Sequence, residues 1–500
     1  MAERCREYLA EKIFRLRPPR YDERFGLWPG EVGLEMESWP VRPGEPRTGI
    51  PGRVALHGED SLAAALMPLI EREGWRAEFA EAGKSARDKS SQQKLMKIAI
   101  PNQTAMPDWV TFEPGGQIEF SSAPFPCLSE AIERMHLIDD KVKRHLRGFG
   151  IELVATGINP WFTPDEIGLQ MNKPRYEAMN KFFSRIGPFG PRMMRQTCTV
   201  QVNLDFGASG DEMARRYALS LMLAPFAGAA FANSPVVDRR VTGDKGFRSR
   251  VWLNLDPTRT GARDPGRILK RLDQDSCVEY YWEFVRNAKV VFVEAAGYAV
   301  PDNGLTWDQW MAAPWMGVSP DMAAFETHLS LLFPEVRPRG FLELRSVDCQ
   351  ATPWMAAPAA FWTGLIYDPR ARDEALALLE PVVAEPARGG LELLLHKVPE
   401  GFKNLELAAT SARLMEIAIE GLDRLPDCFR GAESDLVLRR FYEHFTARRR
   451  VPADDLLDAI GQKNGSAGGT DDKSPDLGLG TFAGLERKWS DLASGRDKQM

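Results

Sequence analysis

The segment Thr197–Phe206, TCTVQVNLDF, alternates between apolar and polar residues without interruption, and it constrains the fold more than any other stretch. Its apolar residues fall at even positions and its polar residues at odd positions. This is the pattern of a β-strand with one buried face and one polar face. Such strands are typical of antiparallel sheets. We therefore predict a long strand over Arg192–Phe206 in an antiparallel sheet.

Three further segments repeat this alternation, namely GLEMESW (Gly33–Trp39), WVTFEPGGQIEF (Trp109–Phe120) and FLELRS (Phe341–Ser346). Each has one apolar face and one face that carries Glu, Gln, Asn or Arg. The polar set is Glu35, Glu37, Glu113, Glu119, Gln201, Asn203, Glu343 and Arg345, and Gln117 lies on the same side of its strand as Glu119. Helical periodicity predicts amphipathic or buried helices over Ser129–Leu146, over Asp211–Asn233 and over most of 369–450. The fold class is therefore α+β, a mainly antiparallel sheet packed with helices.

Composition limits the classes of function. The 500 residues have a net charge of −6 without long blocks of one sign, which argues against a nucleic-acid partner. The six scattered cysteines indicate neither a zinc site nor a disulfide framework, and no stretch is long enough to span a membrane. The charged N-terminus lacks the apolar core of a secretory signal. We expect a cytoplasmic protein with small-molecule partners, either a monomer or a homodimer.

Three regions are expected along the chain. Residues 1–30 read as an N-terminal helix and a Pro-rich linker, and residues 31–453 sustain apolar periodicity as one catalytic domain. Residues 454–500 read as a flexible tail rich in Gly, Ser and Asp, with a short helix near Leu485–Leu492.

The polar face points to a divalent metal. A solvated sheet face is the alternative, but such a face normally mixes Lys, Thr and Glu, whereas this set has five glutamates and no lysine. Carboxylates held close together raise one another's pKa, and Mg²⁺, which prefers oxygen ligands, relieves that repulsion. We expect the turn after Glu113, with Gly115 at positive φ, to bring Glu113 and Glu119 to one ion. No P-loop motif accompanies this face.

These motifs resemble those of the glutamate–cysteine ligases of the plant and proteobacterial type. The resemblance rests on GLEMES, FEPGGQIEFSSAP, RMMRQTCTVQVNLDF, FANSP, RSRVW…DPTRTG, HLSLLFPEVRPRGFLELRS and PAAFWTGLIYD, in that order over Gly33–Asp368. It implies a curved, glutamine synthetase-like sheet whose polar face binds metal. It also implies the joining of the γ-carboxyl of L-glutamate to L-cysteine with ATP and Mg²⁺, for which Mn²⁺ could substitute.

The resemblance also implies roles for single residues. The two implied metal sets are Glu35, Gln201 and Glu343, and Glu37, Glu113 and Glu119. Catalytic roles are implied for Asn203, Arg259 and Arg345. Substrate-binding roles are implied for Gln117, Arg248, Arg250 and Asp348. Departures from the family pattern at Arg250, Asp348 and Cys349 leave the acceptor amine open.

Two alternatives belong to other classes of function. A guanidino-type ATP phosphotransferase shares the curved antiparallel sheet and the ATP–Mg²⁺ chemistry, but it would yield a phosphorylated substrate without a new peptide bond. A binding protein without activity would be expected to have lost some of the five glutamates, and all five are present.

Overall fold

The structure is a computed structural model that describes residues 1–44, 49–80, 94–171, 173–384, 390–465 and 477–496. Within these residues, the strands are β1 (Tyr21–Asp22), β2 (Gly26–Leu27), β3 (Val32–Arg42), β4 (Gly52–Arg53), β5 (Arg76–Phe79), β6 (Leu95–Ile100), β7 (Asp108–Phe112), β8 (Ile118–Ser121), β9 (Glu152–Val154), β10 (Val200–Leu204), β11 (Val236–Val237), β12 (Arg240–Val241), β13 (Val336–Pro338) and β14 (Leu342–Leu344).

The α-helices of the same residues are α1 (Ala2–Tyr8), α2 (Leu62–Glu73), α3 (Leu128–Arg147), α4 (Pro164–Ile167), α5 (Pro174–Ser184), α6 (Phe189–Gln196), α7 (Gly210–Ala230), α8 (Phe247–Leu253), α9 (Pro257–Thr260), α10 (Gly266–Leu269), α11 (Gln274–Asn287), α12 (Trp307–Ala312), α13 (Met322–Ser330), α14 (Ala356–Tyr367), α15 (Pro369–Ala384), α16 (Gly390–Lys397), α17 (Leu405–Arg424), α18 (Asp427–His444), α19 (Pro452–Gly465) and α20 (Leu479–Ser494). None of these helices is both long and apolar enough to cross a bilayer.

A large antiparallel sheet forms the centre of the fold. Its strand order is β13-β14-β10-β3-β8-β7-β6-β5, and β4 and β9 pair with the far end of β3. Every pairing between these strands is antiparallel. The prediction of an α+β protein with a mainly antiparallel sheet is confirmed.

The longest strand is β3, with eleven residues, and the strand predicted over Arg192–Phe206 is shorter than expected. The first part of that segment, Phe189–Gln196, forms helix α6, and only Val200–Leu204 pairs as β10. Met193 and Met194 pack in a small apolar cluster with Phe183 and Trp252. Helix α6 therefore supplies a wall above the sheet instead of extending it.

The apolar face of the sheet packs on helices. Leu34, Met36 and Val200 lie against Ile132 of α3 and Ala356 of α14. Every residue of α14 is buried, because further helices cover its other side. The predicted amphipathic helix at Ser129–Leu146 is therefore present as α3, and its buried stripe covers the sheet. The opposite, polar face of the sheet is left for the site.

The first and the last of the described helices pack against the rest of the protein. In α1 and the turn after it, Cys5 and Leu9 are completely buried. The region predicted to be a flexible tail instead contains α19 and α20, and the expected helix at Leu485–Leu492 is part of α20. Trp489 Nε1 donates to Asp455 Oδ2 over 2.9 Å and fixes α20 on α19. Residues 466–476 of the predicted tail lie outside the described residues.

Candidate active site

The sheet register brings the predicted polar residues onto one face. Glu35 of β3 lies directly opposite Gln201 of β10 and Ser121 of β8. Glu37 lies opposite Glu119 on β8. Directly paired residues in an antiparallel sheet point to the same side. The four strands identified from their alternation therefore adjoin and share one polar face.

A cavity of about 250 Å³ lies above this face. The floor of the cavity, here called the acidic floor, is formed by the carboxylates of Glu35, Glu37, Glu113 and Glu119. Helices α5, α6 and α8 supply its walls. The wall includes the guanidinium-bearing residues Arg248 and Arg345. The cavity thus places carboxylates and arginines around one small volume.

The acidic floor carries strongly perturbed acids. Burial, together with the neighbouring carboxylate of Glu119, raises the pKa of Glu35 and of Glu37 to about 8. Burial and the nearby carboxylates raise the pKa of Glu113 and of Glu119 to about 7. Hydroxyl groups stabilise part of this negative charge, because Ser121 Oγ donates a hydrogen bond to Glu119 Oε1 over 2.9 Å. The floor therefore holds more negative charge than the protein itself compensates.

The turn between β7 and β8 sets the positions of Glu113 and Glu119. Gly116 N donates to Glu113 O over 2.8 Å, and Glu113 N donates to Gln117 O over 2.9 Å. The prediction that Gly115 has positive φ is wrong, because Gly116 has that conformation at +87°. Gly115 is needed for space instead, since a Cβ there would lie 2.4 Å from Arg195 O.

Glu343 is bound by arginines and does not line the cavity. Arg337 Nη2 donates to Glu343 Oε1 over 3.0 Å, and Arg337 Nε completes a two-pronged contact with Oε2. Arg339 Nη1 and Arg345 Nη1 lie 2.8 Å and 3.1 Å from the same carboxylate. Burial alone would raise the pKa of Glu343, but these guanidinium groups outweigh it and hold the pKa well below the ordinary range. This carboxylate is not free to bind a metal in the arrangement observed.

Gln201 and Asn203 are also engaged within the protein. The side-chain oxygen of Gln201 accepts a hydrogen bond from Arg345 Nη1. Asn203 Nδ2 donates to Glu35 Oε1 over 2.9 Å, while Asn203 Oδ1 is buried without a hydrogen-bond partner among the described residues. In the implied metal set, Gln201 and Glu343 are engaged by arginines, whereas no arginine among the described residues forms a hydrogen bond or ion pair with Glu35.

Arg248 is buried, and only part of its guanidinium group is hydrogen-bonded to the described residues. Its Nη2 donates to Arg345 O over 2.8 Å, but Nε and Nη1 have no hydrogen-bond partner among the described residues. Its guanidinium carbon lies 4.5 Å from the ring centroid of Trp252. Arg345 Nε is likewise buried without a partner in the described chain. Buried donors of this kind are stabilised when an anionic ligand supplies acceptors.

Arg259 and Arg250 were predicted at the site, but the structure places both outside the cavity. Arg259 is completely buried, and its Nη1 and Nη2 each donate over 2.6 Å to backbone carbonyl oxygens, those of Leu331 and Lys289. Arg250 lies on the outer side of α8, where Nη2 donates to Asp244 Oδ1 over 2.7 Å. A guanidinium held by main-chain carbonyls or by a surface carboxylate is not available to a substrate in the cavity.

Asp348 and Gln117 have structural partners. Asp348 Oδ2 accepts from Ser234 Oγ over 2.6 Å and from Asn233 N over 2.8 Å, and the residue does not line the cavity. Gln117 lines the cavity, but its amide holds the turn, with Oε1 accepting from Gly115 N and Nε2 donating to Thr197 O, both over 3.0 Å. Both side chains support the site from within the protein.

The donor set suits a hard cation, although the side chains do not surround one. The floor offers only oxygen ligands and excess negative charge, as Mg²⁺ requires. Among the described residues, however, no three acidic, cysteine or histidine side chains are grouped in the geometry of an ion site. The chemistry of the floor fits Mg²⁺, and its four carboxylates would need to converge further on binding.

Sequence reasoning missed several residues of the cavity wall. Arg337 and Arg339 lie two apart before the turn into β14, and Arg337 pairs directly with Glu343. Period-two spacing could have assigned them to the polar face. Tyr176 of α5 and Trp252 of α8 reach the cavity from helices, for which strand alternation gives no signal.

The chain is similar to curated plant enzymes named glutamate–cysteine ligase, chloroplastic. It is 32% identical over 326 residues to that of Arabidopsis thaliana and 33% identical over the same length to that of Medicago truncatula. These matches cover 63% of this chain and about three fifths of each relative, 60% and 61%. The chain therefore matches less than two thirds of the length of these relatives.

The names of the relatives contradict the predicted subcellular location. The prediction of a cytoplasmic protein is wrong by this comparison, because the relatives from Arabidopsis, Medicago and rice are named as chloroplastic proteins. The six free cysteines, all of which are among the described residues, do not distinguish between the two compartments.

Solved structures show a distant likeness. The glutamate–cysteine ligase of Francisella tularensis, solved in complex with AMP, covers 96% of this chain and 95% of its own, with 11% identity and a TM-score of 0.45. A bifunctional glutathione synthetase from Pasteurella multocida has 15% identity and a TM-score of 0.37, and it covers 94% of this chain and 53% of its own. Neither likeness is close enough to bear on the site.

The family comparison extends across most of the chain. Residues 72–397 match glutamate–cysteine ligase family 2 (GCS2), a span that includes β7, β8, β10 and β14 with their polar residues. Of the strands that carry the polar residues, β3, with Glu35 and Glu37, precedes the matched span, and it pairs directly with two strands inside it. This chain belongs to glutamate–cysteine ligase family 2.

Proposed function

We propose that this protein is an ATP-dependent ligase that joins the γ-carboxyl of L-glutamate to the amine of L-cysteine through a γ-glutamyl phosphate. The observation that carries the proposal is the cavity itself, where four carboxylates face two buried arginines with unpartnered N–H groups. The family and the names of the curated relatives support the same activity.

The acidic floor is proposed to hold Mg²⁺, or Mn²⁺ in its place, through Glu35, Glu37, Glu113 and Glu119. When bound, the metal neutralises the charge of the ATP phosphates. The raised pKa values of these acids are consistent with a site whose carboxylates are only partly compensated by Arg248 and Arg345. Arg337, Arg339 and Arg345 engage Glu343, so that this residue positions Arg345 and is not proposed as a ligand.

The arginines are proposed to hold the reacting anions. Arg248 and Arg345 can donate to the carboxylates of glutamate or to the transferred phosphoryl group, since guanidinium binds such oxyanions well. The γ-carboxylate oxygen attacks the γ-phosphorus of ATP and ADP leaves. The amine nitrogen then attacks the acyl carbon, phosphate leaves, and the amine proton is lost. The work of this chain is therefore to position and to stabilise charge.

The wall opposite the acidic floor is proposed to receive the acceptor. Met179, Met193, Met194, Trp252 and Phe333 line it and make it apolar. Asp348 and Cys349, where the sequence departs from the family pattern, are buried outside the lining. An apolar wall favours an amine with a small uncharged side chain such as that of cysteine over a charged one.

The test is release of ADP by the purified full chain with ATP, Mg²⁺ and L-glutamate, against a panel of amines, with the product mass recorded. Release that requires both glutamate and cysteine, with the mass of γ-glutamylcysteine, is the expected result. Preference for another amine would retain the ligase chemistry and overturn the acceptor. A phosphorylated product without a peptide bond would indicate a phosphotransferase, and release without glutamate would overturn the proposal.

A further inference from the structure

The polar face continues beyond the acidic floor towards the β5 edge of the sheet. Ser121 lies opposite Glu35 on one side and opposite Trp109 on the other, and Trp109 lies opposite Ala99 of β6. The indole of Trp109 therefore stands on the same face as Glu35, two strands away, which is about 10 Å. The residue is half-buried and is not among the lining of the cavity. The face thus offers an aromatic surface beside the acidic floor.

The ammonium group of Lys97 lies over this ring, and two further cations lie near Lys97 or at the cavity. Lys97 Nζ of β6 lies 3.9 Å from the centroid of the Trp109 ring and 3.0 Å from Glu78 Oε2. Lys173, just before α5, is close enough to Arg175 and Lys97 that burial and the repulsion from both lower its pKa. Arg175 also lines the cavity, and its Nη2 donates to Ser330 Oγ over 2.9 Å. Lys97, Lys173 and Arg175 are here called the cationic collar, in which Lys97 contacts the ring and Arg175 borders the cavity.

These groups together fit one class of ligand. An aromatic ring stacks on a nucleobase, and positive side chains attract phosphates. The phosphate end of such a ligand would reach the acidic floor, where a divalent cation is proposed. Glu113 follows Trp109 by four residues, a distance of about 14 Å along extended chain, which a ribose with a triphosphate can bridge.

We propose that the base of the nucleotide stacks on Trp109, with its phosphates passing the cationic collar to reach Glu113 and Glu119. This inference rests on the proposed function and assigns its nucleotide subsite. Thr111 and Ser121, whose hydroxyls donate to Glu119 over 3.2 Å and 2.9 Å, lie between the two ends. A purely structural cross-strand cluster of Lys97, Trp109 and Glu78 is the competing explanation.

The experiment compares binding of ATP with Mg²⁺, AMP and inorganic tripolyphosphate by titration calorimetry, in the full chain and its variants. Trp109→Ala should weaken ATP and AMP by a similar factor, about 5- to 150-fold by the usual contribution of base stacking, and leave tripolyphosphate unchanged. Trp28→Ala is the matched control, because its half-buried ring also lies under a guanidinium, that of Arg20 at 5.0 Å. It should change none of the three affinities.

Trp109→Leu guards against a folding defect, since it keeps an apolar side chain but cannot stack, and it should reproduce the loss seen with alanine. Unchanged ATP affinity in a folded Trp109→Leu would overturn this inference alone. A parallel loss of tripolyphosphate affinity would also overturn it, because the ring would then act on the whole site. A wild-type protein that binds tripolyphosphate but neither ATP nor AMP would overturn the subsite, and one that binds none of the three would overturn the proposed function too.

Discussion

Glu119 and Glu343 are glutamates on the same face of the same sheet, and both are buried. Glu343 is contacted by three arginines, and its pKa falls far below the ordinary range. Glu119 accepts hydrogen bonds from the hydroxyls of Thr111 and Ser121, and burial and the carboxylate of Glu113 raise its pKa to about 7. The residue type and the burial are alike, so the difference comes from the neighbouring cations.

This contrast separates two kinds of buried acid. The negative charge of Glu343 is balanced within the protein, so its role is to hold Arg337 and Arg345 in place. The charge of the acidic floor is balanced only in part by Arg248 and Arg345, and it therefore favours a ligand that brings positive charge. Residue identity alone would have given both glutamates the same role.

The most disruptive test removes the balanced acid. Glu343→Gln leaves Arg337 and Arg345 buried without their counter-charge, and breaking a buried ion pair from one side costs about 3–5 kcal/mol. We expect a loss of this size in the free energy of unfolding, measured by urea denaturation. Full stability in this variant would show that the arginines find other acceptors.

The matching change in the acidic floor should act on activity. Glu119→Gln removes one of four mutually repelling charges, so the fold should keep its stability or gain a little. ATP turnover should fall on the order of 10²–10³-fold, the usual cost of losing one electrostatic contact to the transition state. ADP release and urea denaturation on the same preparation separate the two effects. Near-normal turnover would remove Glu119 from the proposed metal site.

The two kinds of acid should also differ in their response to pH. The floor acids have pKa values of about 7–8 in the folded protein and an ordinary value of 4.5, so the folded state binds more protons between these values. Their contribution to stability is present below pH 4.5 and is lost as the pH rises through 7–8. Without metal, the melting temperature should fall from pH 5.5 to pH 8.5, and Mg²⁺ should restore more of it at pH 8.5. Equal effects of Mg²⁺ at both pH values would contradict this account.

The smallest effect is expected at the surface. Arg250 pairs with Asp244, and its side chain is 40% exposed, so Arg250→Ala should cost at most about 1 kcal/mol. Its KM for glutamate should stay near the wild-type value, whereas Arg248→Ala should raise KM by about tenfold or more through the loss of a buried charged donor. Steady-state kinetics on both variants check this pair. A larger rise in Arg250→Ala than in Arg248→Ala would reverse the assignment.

Alternation along single strands was enough to predict the polar face, because side-chain direction in a strand depends only on parity. It placed Glu35, Glu37, Glu119 and Glu343 on one side, and the register agrees. It could not show that Arg337 crosses from the neighbouring strand to neutralise Glu343, since that contact depends on pairing. It also extended β10 over Arg192–Gln196, where packing of Met193 and Met194 favours a helix.

Motif order was less informative about arginines. Arg248 and Arg259 both lie in the family motif, but one borders the cavity and the other binds the carbonyl oxygens of Leu331 and Lys289. The direction of a long side chain on a short helix depends on tertiary contacts, which local sequence does not encode. The same limit explains why the hydrogen bond between Trp489 and Asp455 could not be predicted from a segment rich in Gly and Ser.

The strand order also bears on how the chain is made. The strands that carry the floor and its arginine support lie at residues 32–42, 108–121, 200–204 and 342–344, and β10 separates β3 from β14. At synthesis rates of about 5–20 residues per second, on the order of 15–60 s pass between Glu37 and Glu343. Until β10 is made, β3 has an unpaired edge, and β10 then has an unpaired edge until β14 pairs with it. A nascent chain paused before β14 should therefore be prone to aggregation and should depend on chaperones.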